Sequence, residues 1–147
     1  MSQSKVTAEV IINRPLEEVF AFVRDMNNHA EWQTGVLESR VTSEGGVEVG
    51  STYRYVTQMM GRQIQTEGQV ITCDLDKGFF YRSTKAPFQI VGGYTFEKAN
   101  GGTRLTQRIV ADVEGFFRLA KPIVVRTTKR NLENNLLTLK DLLEALG

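Results

Sequence analysis

The spacing of hydrophobic residues changes twice along this chain, separating a strand, a short helical stretch, a run of strands and a long helix. Val6, Ala8, Val10 and Ile12 alternate with Thr7, Glu9 and Ile11, the period of a strand with one buried face. Asn13-Arg14-Pro15 then signals a helix start, with Pro15 in the first turn and Glu17 and Glu18 placed well for the helix dipole. Leu16, Val19, Phe20 and Val23 follow at i, i+3, i+4 and i+7, an apolar stripe on a short helix. Asp25 to Trp32 reads as a second short helix or turn, capped by Asp25 and ended by Gly35.

From Val36 to about Val113 the pattern is all strand and turn. Gly45-Gly46, Gly61, Asp76-Lys77-Gly78, Ala86-Pro87 and Asn100-Gly101-Gly102 punctuate six segments of strand length, and Asn-Gly is the strongest of these hairpin signals. Short connections predict an antiparallel meander. After Pro122 the period becomes helical again. Leu132, Leu136, Leu139, Leu143 and Leu146 fall on one stripe, which Val125 and Thr128 extend backwards. A helix from Pro122 to Leu146 would be about 37 Å long, enough to cross a small sheet.

Composition narrows the chemistry. The 147 residues suit one domain with a core of its own, and 41% hydrophobic against 24% charged residues is globular usage. A net charge of +1 lacks the strong positive field of a nucleic-acid binder. No apolar run is long enough to span a membrane, and the N-terminus does not read as a signal peptide. Cys73 is the only cysteine, so no internal disulfide is possible and a reducing cytoplasm fits. His29 is the only histidine, which rules out a multi-histidine zinc site. Phosphate-binding glycine loops and the common hydrolase motifs are absent, and nothing calls for a cofactor or metal. Asp74 and Asp76 read as turn formers, and Cys73 as an inert thiol.

The order is one strand, two short helices, six strands and one long helix. This predicts an α+β fold in which a seven-stranded curved antiparallel sheet wraps a long C-terminal helix. A bent sheet and a helix meet imperfectly, so such an arrangement can enclose a cavity. Four stretches, "IINRPLEEVFAFVRDMNNHAEWQTGV", "VGSTYRY", "GGYTFEKANGGTRLTQRI" and "NLLTLKDLLEAL", carry a resemblance across residues 5–146. In them the chain resembles the START-like or Bet v 1-like superfamily, the helix-grip fold, and within it the polyketide cyclase and dehydrase group. The resemblance implies a deep, mostly apolar cavity between sheet and C-terminal helix. Members bind lipids, sterols, plant hormones or polyketides, and some catalyse cyclisation or dehydration. The superfamily has no universal catalytic set, so no catalytic residue is carried over.

Alternation assigns inward faces. Tyr53, Tyr55, Thr57 and Met59 share one; Ile64, Thr66, Gly68 and Val70 another; Phe79, Tyr81 and Ser83 a third. Ile90, Gly92, Tyr94 and Phe96 follow, then Leu105, Gln107, Ile109, Ala111 and Val113. All four tyrosines land inward, where a phenol offers stacking surface and a hydroxyl that orients a ligand. The ligand-binding candidates are Trp32, Tyr53, Tyr55, Met59, Tyr81, Ser83, Tyr94, Gln107, Phe116 and Phe117. Trp32 is read either as a cap on the cavity mouth or as a packing anchor. For His29 a surface or cap role is preferred to proton transfer, because no orienting partner can be placed. Arg54, Arg82 and Arg104 fall on the outer face.

Arg118, Lys121, Arg126, Lys129 and Arg130 form a basic run beside Phe116, Phe117 and Leu119. A solvated helix face is the simple reading, and docking to an anionic membrane the sharper one. Three functions stay open. The preferred one is a binding or carrier module for a small hydrophobic, lipid- or polyketide-like molecule. A cyclase or dehydratase that moves protons with cavity tyrosines or His29 is the second, and a module regulating a partner protein the third.

Overall fold

A computed structural model describes residues 4–59, 61–112 and 121–146. Seven strands run β1 (Ser4–Ile12), β2 (Val36–Val41), β3 (Thr52–Met59), β4 (Arg62–Asp74), β5 (Gly78–Lys85), β6 (Ile90–Ala99) and β7 (Gly102–Ala111). They form one antiparallel sheet in the order β1-β7-β6-β5-β4-β3-β2. Between β1 and β2 lie α1 (Leu16–Arg24), a 3₁₀ turn (Met26–Asn28) and the single helical turn α2 (His29–Trp32). These carry the chain from one sheet edge to the other. The long helix α3 (Lys121–Leu146) closes the concave face.

Local chemistry explains the boundaries. Pro15 sits one residue before α1 rather than inside its first turn, and its carbonyl accepts from the Glu18 and Val19 amides. The α1 stripe buries Val19, Phe20 and Val23. Asp25 caps the 3₁₀ turn, its side chain accepting from the Asn27 amide at 3.1 Å. Asn100 and Gly101 both have positive φ (48° and 81°), as the tight β6–β7 hairpin requires. Asp76, at φ 59°, turns the chain between β4 and β5.

The sheet curls because β4 carries two register shifts against β5, between Glu67 and Gly68 and between Val70 and Thr72. The second changes the alternation, so that Val70 and Cys73 both belong to the core side. Glycines let the curl tighten. Tyr53 pairs across the strands with Gly68, and Tyr81 with Gly92. A Cβ on Gly68 would lie 2.2 Å from the Tyr53 hydroxyl, and one on Gly92 would lie 2.7 Å from the Tyr81 hydroxyl. Each tyrosine therefore lies across a glycine of the neighbouring strand.

On α3, Leu132, Leu136, Leu139 and Leu143 are buried as their spacing predicts. Leu146 departs from the expectation and is exposed, because it closes the helix, where the stripe ends. Lys140 donates to the Ile11 carbonyl at 2.9 Å and pairs with Glu144, which accepts from the Asn13 amide at 2.8 Å. These contacts fasten the end of α3 to the β1–α1 junction. No helix among the described residues is long and apolar enough to cross a membrane.

Candidate functional site

The core divides into two parts. Beneath α1 it is solid. Phe20 meets Phe96 and Phe79 edge to face at 5.1 and 6.4 Å, and Leu105 and Leu139 fill the space around them. Toward the start of α3 the sheet and helix separate and leave a cavity of about 210 Å³. Tyr53, Tyr55, Thr57 and Met59 of β3 line it on one side. Ile64, Thr66 and Tyr81 continue the sheet wall, Ile90 and Ile109 the opposite one, and Val124, Thr128 and Leu132 of α3 form the roof. No Asp, Glu, Lys, Arg or His side chain belongs to this lining among the described residues. The arginines face outward, as their parity predicts: Arg54 sits 3.4 Å from Glu38, and Arg104 3.0 Å from Glu97.

Three of the predicted tyrosines gather at the cavity wall. The Tyr53 ring lies 5.3 Å from Tyr55 and 5.4 Å from Tyr81, and Tyr55 and Tyr81 are 6.3 Å apart. Burial holds all three phenols well above their ordinary pKa, so they are protonated at neutral pH. The Tyr53 hydroxyl is buried without a hydrogen-bond partner. That of Tyr81 makes no hydrogen bond among the described residues.

His29 corrects the expectation of a surface residue. It is fully buried, because α2 turns its ring inward against Trp32, Tyr55 and Tyr94, with centroids 5.5 to 5.7 Å away. Its Nε2 donates to the Val23 carbonyl at 2.8 Å, and its Nδ1 faces the Tyr55 hydroxyl. A carbonyl only accepts, so the neutral ring carries its proton on Nε2 and leaves Nδ1 to accept from Tyr55. Burial lowers the His29 pKa from 6.5 to about 4, against smaller opposing effects from the Val23 carbonyl and Asp25, so the ring is neutral at pH 7. The orienting partner absent from the sequence reading is thus Tyr55, 26 residues away.

Trp32 and Tyr94 stand behind the wall, in the packed core. Trp32 is a packing anchor there, with its indole N–H unpartnered. Tyr94 accepts from the amides of Gln33 at 3.0 Å and Gln107 at 3.2 Å. Gln107 is fully buried, and its Oε1 has no partner. Ser83 does not line the cavity; its hydroxyl accepts from the Ile90 amide at 2.9 Å and shapes the β5–β6 connection. Phe116 and Phe117 lie outside the described residues. Of the basic run, Arg126, Lys129 and Arg130 are exposed.

Sequence reasoning missed Gln33 and Asn135, both buried and both in the lining. Asn135 accepts from the Thr34 amide at 2.9 Å, tying α3 to the loop after α2. A polar residue inside the apolar α3 stripe was the available signal.

A family model for polyketide cyclase / dehydrase and lipid transport matches residues 3–144. The chain belongs to that family. Solved structures share the fold at low identity. A protein from Thermus thermophilus is 21% identical with a TM-score of 0.83, covering 97% of this chain and 99% of its own. The START superfamily protein from Mycobacterium smegmatis is 15% identical with a TM-score of 0.79, covering 98% and 99%. The Zhui aromatase/cyclase from a Streptomyces species is 15% identical with a TM-score of 0.76, covering 95% and 94%. No curated protein matches the chain. These structures share with this chain the α+β helix-grip architecture that the sequence predicts.

Proposed function

We propose that this protein binds a small, neutral, largely apolar molecule in the cavity between the sheet and α3, as a carrier or sequestering module. The observation that supports this most directly is the lining itself: aliphatic and aromatic side chains, several hydroxyls and amides and, among the described residues, no charge. A volume of about 210 Å³ is below that of drug-sized sites and somewhat above the roughly 150 Å³ that admits benzene. Native mass spectrometry of gently purified protein tests the reading, followed by titration of the apo form with a fluorescent apolar probe. The expected result is a released small mass or saturable one-to-one uptake. Failure of both sinks the proposal.

The buried Tyr55–His29 pair favours a second reading, acid–base catalysis of a cyclisation or dehydration. The Zhui protein is described as an aromatase/cyclase, and this chain shares its fold. Under that reading Tyr55→Phe removes turnover of a reactive polyketide-like substrate even at saturating substrate, while the variant stays folded. Unchanged turnover would eliminate it.

A further inference from the structure

The cavity wall carries tyrosine hydroxyls, and the hydrogen-bonding sense of one of them is set from behind the wall. The chain of constraint starts at the Val23 carbonyl, which fixes the proton on His29 Nε2. His29 Nδ1 is then an acceptor, and the Tyr55 hydroxyl is the group facing it. Tyr55 commits its only proton to His29, so its oxygen can offer the cavity lone pairs alone. Tyr81 is in the opposite position. Its hydroxyl has no partner among the described residues, so its proton is free to be donated. The two rings are 6.3 Å apart and both line the cavity. An acceptor and a donor carried by two neighbouring rings of one cavity wall complement a group that is itself both, and a hydroxyl is the smallest such group.

The geometry points to a ligand class: neutral molecules carrying a hydroxyl on an apolar body, the hydroxyl donating to Tyr55 and accepting from Tyr81. This rests on the cavity-binding reading above and narrows it. Neutrality rests on the lining, which among the described residues holds no Asp, Glu, Lys, Arg or His side chain to pair an ionised group. Burial keeps His29 uncharged down to about pH 4, so the sense of the Tyr55 bond holds throughout the neutral range. Tyr53 adds aromatic surface between the two.

A matched series separates this proposal from the reading beneath it: 2-naphthol, 2-methoxynaphthalene and naphthalene, titrated at pH 7 by fluorescence. The ether keeps the oxygen that accepts from Tyr81 and lacks the proton that Tyr55 receives. The expected order is naphthol tightest, the ether about tenfold weaker and naphthalene weaker again. Tyr55→Phe should bring naphthol to the level of the ether, with ether binding unchanged within about twofold. Tyr81→Phe should weaken naphthol and ether together and leave naphthalene unaffected. Equal affinity of the wild-type protein for all three, or a naphthol preference that survives Tyr55→Phe, overturns the hydroxyl assignment and leaves the apolar cavity standing. Binding of none of the three overturns the cavity reading, and this proposal with it. Should Tyr55→Phe fail to fold, the wild-type series and Tyr81→Phe still decide.

Discussion

Leu105 and Ile109 lie on the same face of β7, one turn of alternation apart from Gln107 on either side, yet they belong to different interiors. Leu105 is 0% exposed and pairs across the strands with Phe96, within the aromatic packing under α1. Ile109 pairs with Gly92, and its side chain borders the cavity. The residues opposite differ. A phenylalanine across from Leu105 helps fill the packed interior, whereas the glycine across from Ile109 is overlain by the Tyr81 ring, which itself forms part of the cavity wall. One continuous strand thus serves as core at one end and as cavity wall at the other.

Substitutions at these two positions are the most direct way to break this contrast. Leu105→Ala should cost about 3–4 kcal/mol in urea denaturation, the transfer loss plus a new void that rigid neighbours cannot close. Ile109→Ala should cost only about 1 kcal/mol, since a space already exists there and only the transfer term is lost. Equal costs would mean that the cavity end is as tightly packed as the other. His29 sits at the boundary and gives a pH test of intermediate size. The folded ring takes up a proton only near pH 4, the unfolded one near 6.5. Between these values the unfolded state binds more protons, so stability falls as the pH is lowered through the window, by up to about 3 kcal/mol. Above pH 6.5 this contribution is fully present and flat. His29→Gln should lose that dependence relative to the wild-type protein, and an identical slope in the two would show that His29 is not buried neutral.

Much of this was legible in the sequence. Every strand, the Asn100-Gly101 hairpin, the inward parity of all four tyrosines and the outward parity of Arg54 and Arg104 follow from alternation and turn chemistry. Periodicity reports which face a residue is on, and it does not report depth. It therefore could not separate Tyr94, inside the packed core, from Tyr81, at the cavity, although both face inward. Ser83 shares their parity and still turns its hydroxyl to the Ile90 amide, because the strand is ending there. The burial of His29 was illegible for another reason. Its partners are a carbonyl six residues earlier and a hydroxyl on β3, and only the crossing of α2 over the sheet brings them together.

For the guest binding proposed above, a lining without charge among the described residues has a thermodynamic consequence. A neutral guest entering a neutral chamber displaces no counterions, and the paired charges of Arg54 and Arg104 stand on the far side of the sheet. Occupancy is thereby decoupled from the ionic strength of the surroundings and governed by the hydration of apolar surface. Under the proposed binding function, the agents that alter that hydration, sulfate in one direction and urea in the other, would be the ones to which loading responds.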